Sequence, residues 1–218
     1  MKIGVLGTGM VGVAIASKLV ELGHDVVMGA REANNEKAAA WVAKTKGKAR
    51  AGTFADAAKH VVMLINATRG SGSIAALDLA GGNNLNGKVL LDVSNPLDFS
   101  KGMPPTLTVC NTDSLGEQIQ RAFPQVKVVK TLNTVNASVM VAPRTLPQEH
   151  TVFVAGNDND AKKAAAALLN EFGWRDTEIV DAGSIQAARG LETWLLQWVS
   201  LMGAFGTPLF NLHLVKAG

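Results

Sequence analysis

Lys2–Leu6 (KIGVL) runs straight into Gly7-Thr8-Gly9-Met10-Val11-Gly12, and this junction constrains the chain more than any other feature. Five β-prone residues read as a strand, and the apolar run Met10–Leu22 reads as a helix stopped by Gly23. The glycines between them fit G-x-G-x-x-G, a weak pattern alone but specific between a strand and a helix. Gly7 allows a tight turn, Gly9 lets backbone approach a pyrophosphate, and Gly12 lets helix pack close to strand. The helix start then aims free N–H groups and a positive dipole end at phosphate. The alternative is a glycine-rich turn that holds nothing.

The same alternation continues along the chain. Asp25–Met28, Lys48–Ala51, Val61–Asn66, Val89–Val93, Val126–Lys130, Thr151–Ala155 and Glu178–Val180 read as strands. Helical patterns fall at Asn35–Lys46, Asp113–Phe123, Asp160–Phe172 and Ser184–Met202. Strands alternating with helices predict an α/β fold, a Rossmann-type doubly wound, mostly parallel sheet with a C-terminal helical extension. The expected division is a NADP-binding domain over residues 1–183 and a helical segment over 184–218, lining an acceptor pocket or a dimer contact.

Composition narrows the classes. Of 218 residues, 47% are hydrophobic, enough for a core and too many for wholesale disorder. A net charge of +3 without a basic stripe gives no reason to expect nucleic acid. The apolar stretch Leu191–Phe205 is interrupted by Glu192 and Gln197 and is shorter than the ~20 residues a span needs, so no membrane partner is expected. A single cysteine, Cys110, and no signal-peptide pattern lead to a cytoplasmic expectation. Cys110 is expected to pack rather than react, and His24, His60, His150 and His213 to be partly exposed turn residues.

The end of the second strand separates the two nicotinamide cofactors. NAD sites place an acid there, about 20 residues beyond the glycines, to hold the ribose 2′-hydroxyl. This chain has Gly29-Ala30-Arg31 instead. A carboxylate would repel a 2′-phosphate, whereas guanidinium pairs with it through two hydrogen bonds. NADP(H) is therefore the expected cofactor, with Arg31 as its main reader and Lys37 as a weaker helper. The alternative for Arg31 is a solvated surface side chain, and Glu32 could turn inward against the phosphate.

Ligands in such sheets sit beyond the carboxyl ends of the strands. Three loops leave those ends: Ala67-Thr68-Arg69-Gly70, expected on the adenosine side, and Ser94-Asn95-Pro96-Leu97 and Thr131-Leu132-Asn133-Thr134, expected to flank the nicotinamide. Each of these polar residues could equally be capping a strand end or turn. H-E-x-x-H and paired cysteines are absent, so no metal ligands are expected. G-x-S-x-G is absent too, and a chain without tyrosine has no tyrosine–lysine proton relay. No catalytic acid or base is identified.

Five segments together carry a family resemblance: KIGVLGTGMVGVAIASKLVELGHDVVMGAR, DVSNPL, VVKTLNT, TVFVAGNDNDAK and AARGLETWLLQW. Across most of its length the chain resembles the NADPH-dependent reductases of coenzyme F420, the 8-hydroxy-5-deazaflavin. The reductase domain of membrane metalloreductases is related. The resemblance implies that Thr8, Gly9, Met10 and Val11 hold the pyrophosphate and that Ala30 and Arg31 hold the 2′-phosphate. The family often has Ser or Thr where this chain has Ala30, which removes one phosphate hydrogen bond.

The cofactor-binding set expected from all readings is Gly7, Thr8, Gly9, Met10, Val11, Gly12, Ala30, Arg31, Ala67, Thr68, Ser94, Asn95, Pro96 and Asn133. The implied function is hydride transfer between NADPH and a deazaflavin, a small-molecule redox partner. The alternatives are another NADPH acceptor (flavin, quinone or metal chelate) or a non-catalytic NADPH-binding redox sensor. Trp194 and Trp198, one helical turn apart, would wall the acceptor pocket or, more often for such pairs, pack in a core or subunit contact. The apolar terminal helix leads to the expectation of a homodimer.

Overall fold

The computed structural model describes residues 1–59 and 61–217. Strands β1 (Lys2–Leu6), β2 (Asp25–Ala30), β3 (Ala49–Thr53), β4 (Met63–Asn66) and β5 (Val89–Asp92) lead to a two-stranded antiparallel hairpin, β6 (Leu97–Asp98) and β7 (Thr106–Leu107). Strands β8 (Lys127–Thr131), β9 (Val152–Gly156) and β10 (Ile179–Asp181) complete the main sheet. Its order is β10-β9-β8-β5-β4-β1-β2-β3, and every pairing is parallel except β8 with β9. The order reverses between β1 and β4, which creates the crevice where ligands bind in open α/β sheets.

The helices are α1 (Met10–Glu21), α2 (Glu36–Lys44), α3 (Phe54–Lys59), α4 (Ser73–Ala80) and α5 (Gly82–Leu85), then α6 (Leu115–Ala122), α7 (Ala137–Val141), α8 (Asn159–Phe172) and α9 (Ala188–Phe205). Strand periodicity of two assigns them to faces. Ile3, Val5, Met63, Ile65, Leu91 and Val129 point to the side covered by α1, α2, α7 and α8. Their neighbours Leu6, Leu64, Leu90 and Val128 point to the other, covered by α3–α6 and the first turn of α9. The strands are buried on both sides, which explains their near-continuous apolar runs.

Local chemistry sets the element ends. Asn35, Ser114 and Asp158 cap α2, α6 and α8 by accepting from the N–H of Ala38, Glu117 and Ala161. Gly173 closes α8 in the left-handed region. The expected strand Asp25–Met28 runs two residues further, so Ala30 is its last member and Arg31 stands just beyond it. Helices α3, α4, α5 and α7 escape a reading by apolar period because they are short and alanine- or glycine-rich. The expected boundary at 183/184 precedes Ile185 and Ala188, both buried in the second core cluster, so α9 grows out of the core. No helix among the described residues is long and apolar enough to cross a membrane.

Two histidines correct the expectation of partly exposed turn residues. His24 is buried; its Nδ1 accepts from the Met1 ammonium at 2.9 Å and its Nε2 donates to Glu171 at 2.8 Å. His150 is buried edge-on against Trp174, bonded to Pro143 O and to the Asn211 amide. Each ring is satisfied by partners that sequence spacing does not reveal. His213 is exposed, and His60 lies outside the described residues. Cys110 is exposed rather than packed, because its loop between β7 and α6 runs over the surface.

Carboxylates paired across elements tie acid stability to the fold. The Arg189 guanidinium holds Glu117 below its ordinary value of 4.5, and Arg121 holds Asp113 down to about 2. Burial pushes Glu178 up, but Arg144 and the Arg175 N–H outweigh it and leave it lowered. Folded-state values below the unfolded ones mean stability that is present above the ordinary carboxylate range and lost as pH falls through the folded values. Denaturant midpoints are therefore expected to hold above about pH 5 and to fall progressively toward about pH 2. A midpoint independent of pH over that interval would contradict the pairing.

Candidate active site

The glycine loop is shaped by close approaches. Gly7 has φ +119°, a conformation that glycine tolerates, and its N–H donates to Gly29 O at 3.0 Å. A Cβ at Gly12 would fall 2.1 Å from Gly7 O, so α1 can start this close to β1 only with glycine there. Gly9 differs: a Cβ there would meet nothing within 4 Å. It stands at the head of α1, where no side chain caps the helix and no acid occupies the first turn. The first-turn N–H groups thus remain available to an anion. Thr8 is half-buried, Met10 is exposed and Val11 is partly buried beside the loop.

At the end of β2 the buried Ala30 precedes Arg31, which is exposed and makes no ion pair or side-chain hydrogen bond among the described residues. Glu32 does not claim it, and the exposed Lys37 stands in the first turn of α2. The neighbouring strand end offers less than its position suggests, because the Thr53 hydroxyl donates to Asp56 at 2.7 Å.

The loops after β4 and β5 meet around one hollow of about 180 Å³, lined among others by Val11, Ala67, Thr68, Ser94, Asn95 and Phe99. Ala67–Gly70 therefore stands beside the Ser94–Leu97 loop. The cause is local: Asn66 Oδ1 accepts from the Thr68 hydroxyl at 2.6 Å, and that hydroxyl meets Ser73 Oγ at 2.9 Å, which folds the loop back over β4. Ala67 N–H also donates to Leu6 O at 2.9 Å, closing the crevice at the strand reversal. Pro96 is buried beneath the loop. A larger hollow of about 560 Å³ lies at the amino end of β8, around Gln120, Gln125 and Lys127, at the end of the sheet opposite the glycine loop. The crevice is the better site because strand ends, helix N-terminus and Arg31 converge only there.

Beneath the hollow is a charge cluster that sequence reasoning missed. Lys130 is fully buried, and its ammonium donates to Asp92 Oδ2 at 2.8 Å and Ser94 O at 2.6 Å and pairs with Glu192 Oε1 at 2.8 Å. All three donors are used. Burial alone would lower its pKa, but the two carboxylates outweigh it and hold the proton more tightly than usual. Asp92 Oδ1 accepts from Asn66 at 2.8 Å and Ser94 Oγ at 2.6 Å. Glu192 also takes the N–H of Leu115 and Gly116 at the start of α6. The available signal was a charge in each of two strand runs, VLLDV and VVKT, and another in the apolar stretch of α9.

Asn133 is buried as well. Its amide donates to Asn95 Oδ1 at 2.9 Å and Leu191 O at 3.0 Å, and Asn95 returns a bond to Asn133 O at 3.0 Å. Its donors are spent on joining the two loops to α9. Trp198 stacks on Phe210 at 5.3 Å, which favours the packing role for the tryptophan pair. Among the described residues no group of His, Cys, Asp and Glu could hold a metal.

The description "NADP oxidoreductase coenzyme F420-dependent" matches residues 2–96, the glycine loop through Pro96. A solved structure from Arthrobacter sp. FB24, proposed to be an F420-dependent NADP-reductase, is 50% identical, with a TM-score of 0.93 over 99% of this chain and 100% of that one. This chain belongs to that family. Membership places it among NADP-dependent oxidoreductases and agrees with an acid-free β2 end followed by Arg31. The F420-dependent NADP reductase of Methanothermobacter marburgensis is 27% identical over 88% of both chains. The rat metalloreductase STEAP3 is 27% identical over 88% of this chain, which spans only 36% of that protein's length.

The two glycines are separable by experiment. Gly12→Ala is expected to lose NADPH binding and about 1–3 kcal/mol of stability through overpacking. Gly9→Ala should leave the melting temperature nearly unchanged while weakening NADPH at least about tenfold, because only the bound phosphate would meet the new methyl. Equal stability losses in the two variants would contradict this assignment of the loop.

Proposed function

We propose that this protein transfers hydride between NADPH and a deazaflavin-type acceptor, coenzyme F420. The observation that carries the reading is the convergence of the open head of α1, the unpaired Arg31 and the hollow between Ala67–Thr68 and Ser94–Pro96 on one crevice. The residues fit NADP(H): the N–H groups at the α1 start would take the pyrophosphate, Gly9 gives it room, and Arg31 would take the 2′-phosphate. Bound NADPH supplies the hydride. The chain would position it: Ser94 and Asn95 line the hollow, Asn133 supports Asn95 from behind, and Val11, Leu97 and Phe99 supply apolar lining. A deazaflavin exchanges its proton with solvent, which suits a hollow whose Thr68, Ser94 and Asn95 side chains are hydrogen-bonded into the framework.

Relatedness to a metalloreductase keeps a second acceptor class, flavins or metal chelates, as the competing reading. Mixing the protein with NADPH and oxidised F420 should bleach the deazaflavin's visible absorbance, with NADH and flavin mononucleotide much slower. Bleaching of the flavin alone would move the function to the second class. Arg31→Ala should lower the NADPH/NADH preference by about 10- to 100-fold, the value of one or two charge-assisted hydrogen bonds. An unchanged ratio would remove Arg31 from the site.

The homodimer belongs to this proposal as well. Phe205, Leu209 and Leu214 stay exposed at and beyond the end of α9, an apolar surface that a second copy would cover. Sedimentation equilibrium should then show a dimer, and a monomer at all concentrations would end that part of the reading.

A further inference from the structure

We propose that Glu192 is a positioning residue for hydride transfer, fixing from α9 the loop after β5, which lines the hollow, and the loop after β8, which is hydrogen-bonded to it. The inference rests on the proposed placement of the nicotinamide over those loops. Two routes run from adjacent residues of α9. Glu192 holds the Lys130 ammonium at 2.8 Å, and Lys130 holds the carbonyl of Ser94 at 2.6 Å. Leu191 O holds the Asn133 amide at 3.0 Å, and Asn133 and Asn95 are joined by two reciprocal bonds. The loop after β5 and the loop after β8 are therefore both referenced to one turn of α9.

The backbone carries an independent sign of this constraint. Leu132, between Lys130 and Asn133, has φ +61° and is almost completely buried. A branched residue in the left-handed region is strained, and such conformations persist where surroundings over-determine them. Here that conformation turns the chain so that Asn133 faces both Asn95 and Leu191. The charges are costly as well, since a buried ion pair is often no more stabilising than apolar packing. A second link between the same helices shows what stability alone would require. Arg189 pairs with Glu117 of α6 at 2.6 Å in a partly exposed setting and touches neither loop.

That pair is the control. Glu192→Gln keeps the shape of the side chain and removes its charge from Lys130; Arg189→Ala severs the α9–α6 link elsewhere. For each variant three quantities are read: the NADPH dissociation constant, the fluorescence lifetime and anisotropy of bound NADPH, and the single-turnover rate of F420 bleaching at saturating NADPH. Glu192→Gln should bind NADPH within about threefold of the parent, with a shorter lifetime and a looser nicotinamide. Its transfer should be slower by on the order of 10²-fold, the cost of misplacing reacting groups by about 1 Å. Arg189→Ala should lower the melting temperature and leave rate and lifetime near the parent's.

A Glu192→Gln protein that transfers at the parent rate overturns the proposal, and so does an equal rate loss in Arg189→Ala. If Glu192→Gln does not fold, Asn95→Ala cuts the second route without touching a buried charge, and an unchanged rate and lifetime there overturns it. If the parent protein bleaches no deazaflavin, the function reading fails by itself, while the lifetime comparison still decides this inference.

Discussion

The Lys130 ammonium, buried between Asp92 and Glu192, is the interaction on which the site depends. It joins the carboxyl end of β5, the end of β8, the start of α6 and the second turn of α9 at one point. Each ion there would be costly alone, and the cluster is tolerated because its polar groups are shared: three acceptors on the lysine, three donors on one oxygen of Asp92, two backbone N–H groups on Glu192. Such a cluster contributes uncertainly to stability, whereas it defines position sharply, because any displacement leaves a buried charge without its partner. The two loops over it inherit that definition.

The opposite end of the crevice is built by another principle. Around Gly7, Gly9 and Gly12 the geometry is set by absent side chains, and the electrostatics by backbone N–H groups and a helix dipole with no carboxylate in its first turn. Arg31 is left free at the surface, able to close on a phosphate without first giving up an ion pair. Phosphate recognition tolerates a mobile guanidinium because its attraction is long-ranged and its bidentate geometry forms on contact. Hydride transfer tolerates no comparable looseness. On the proposed reading, an exposed cationic end and a rigidly referenced floor suit those two requirements.

The sheet was largely legible in the chain because most of its strands are short apolar, often β-branched runs bounded by turn residues, and two-sided burial makes the central ones conspicuous. The glycine loop was legible for a related reason: three glycines between strand and helix have few other uses. Helices α3, α4, α5 and α7 were not, since four to eight residues rich in alanine and glycine carry no measurable apolar period. The antiparallel entry of β9 was also hidden, because a strand's own residues do not encode the direction of its neighbour.

At the site, Arg31 could be singled out from one dimension because its position is a fixed offset from a strand. Asn133 could be placed near the crevice but not understood, because its bonds to Asn95 and Leu191 span 38 and 58 residues. Lys130, Asp92 and Glu192 were invisible as a group for the same reason, although each is an anomaly in its own segment. A charge within a run that must be buried on both faces requires a partner, and the partner has to come from another such run or from an apolar helix. This chain offers one fully buried lysine and one fully buried aspartate in its strands and one glutamate in its longest apolar helix. Pairing these anomalies is a physical inference that needs no alignment. It leads from VLLDV, VVKT and WLLQW's preceding glutamate to the two loops whose relative position the proposed hydride transfer would need to have fixed.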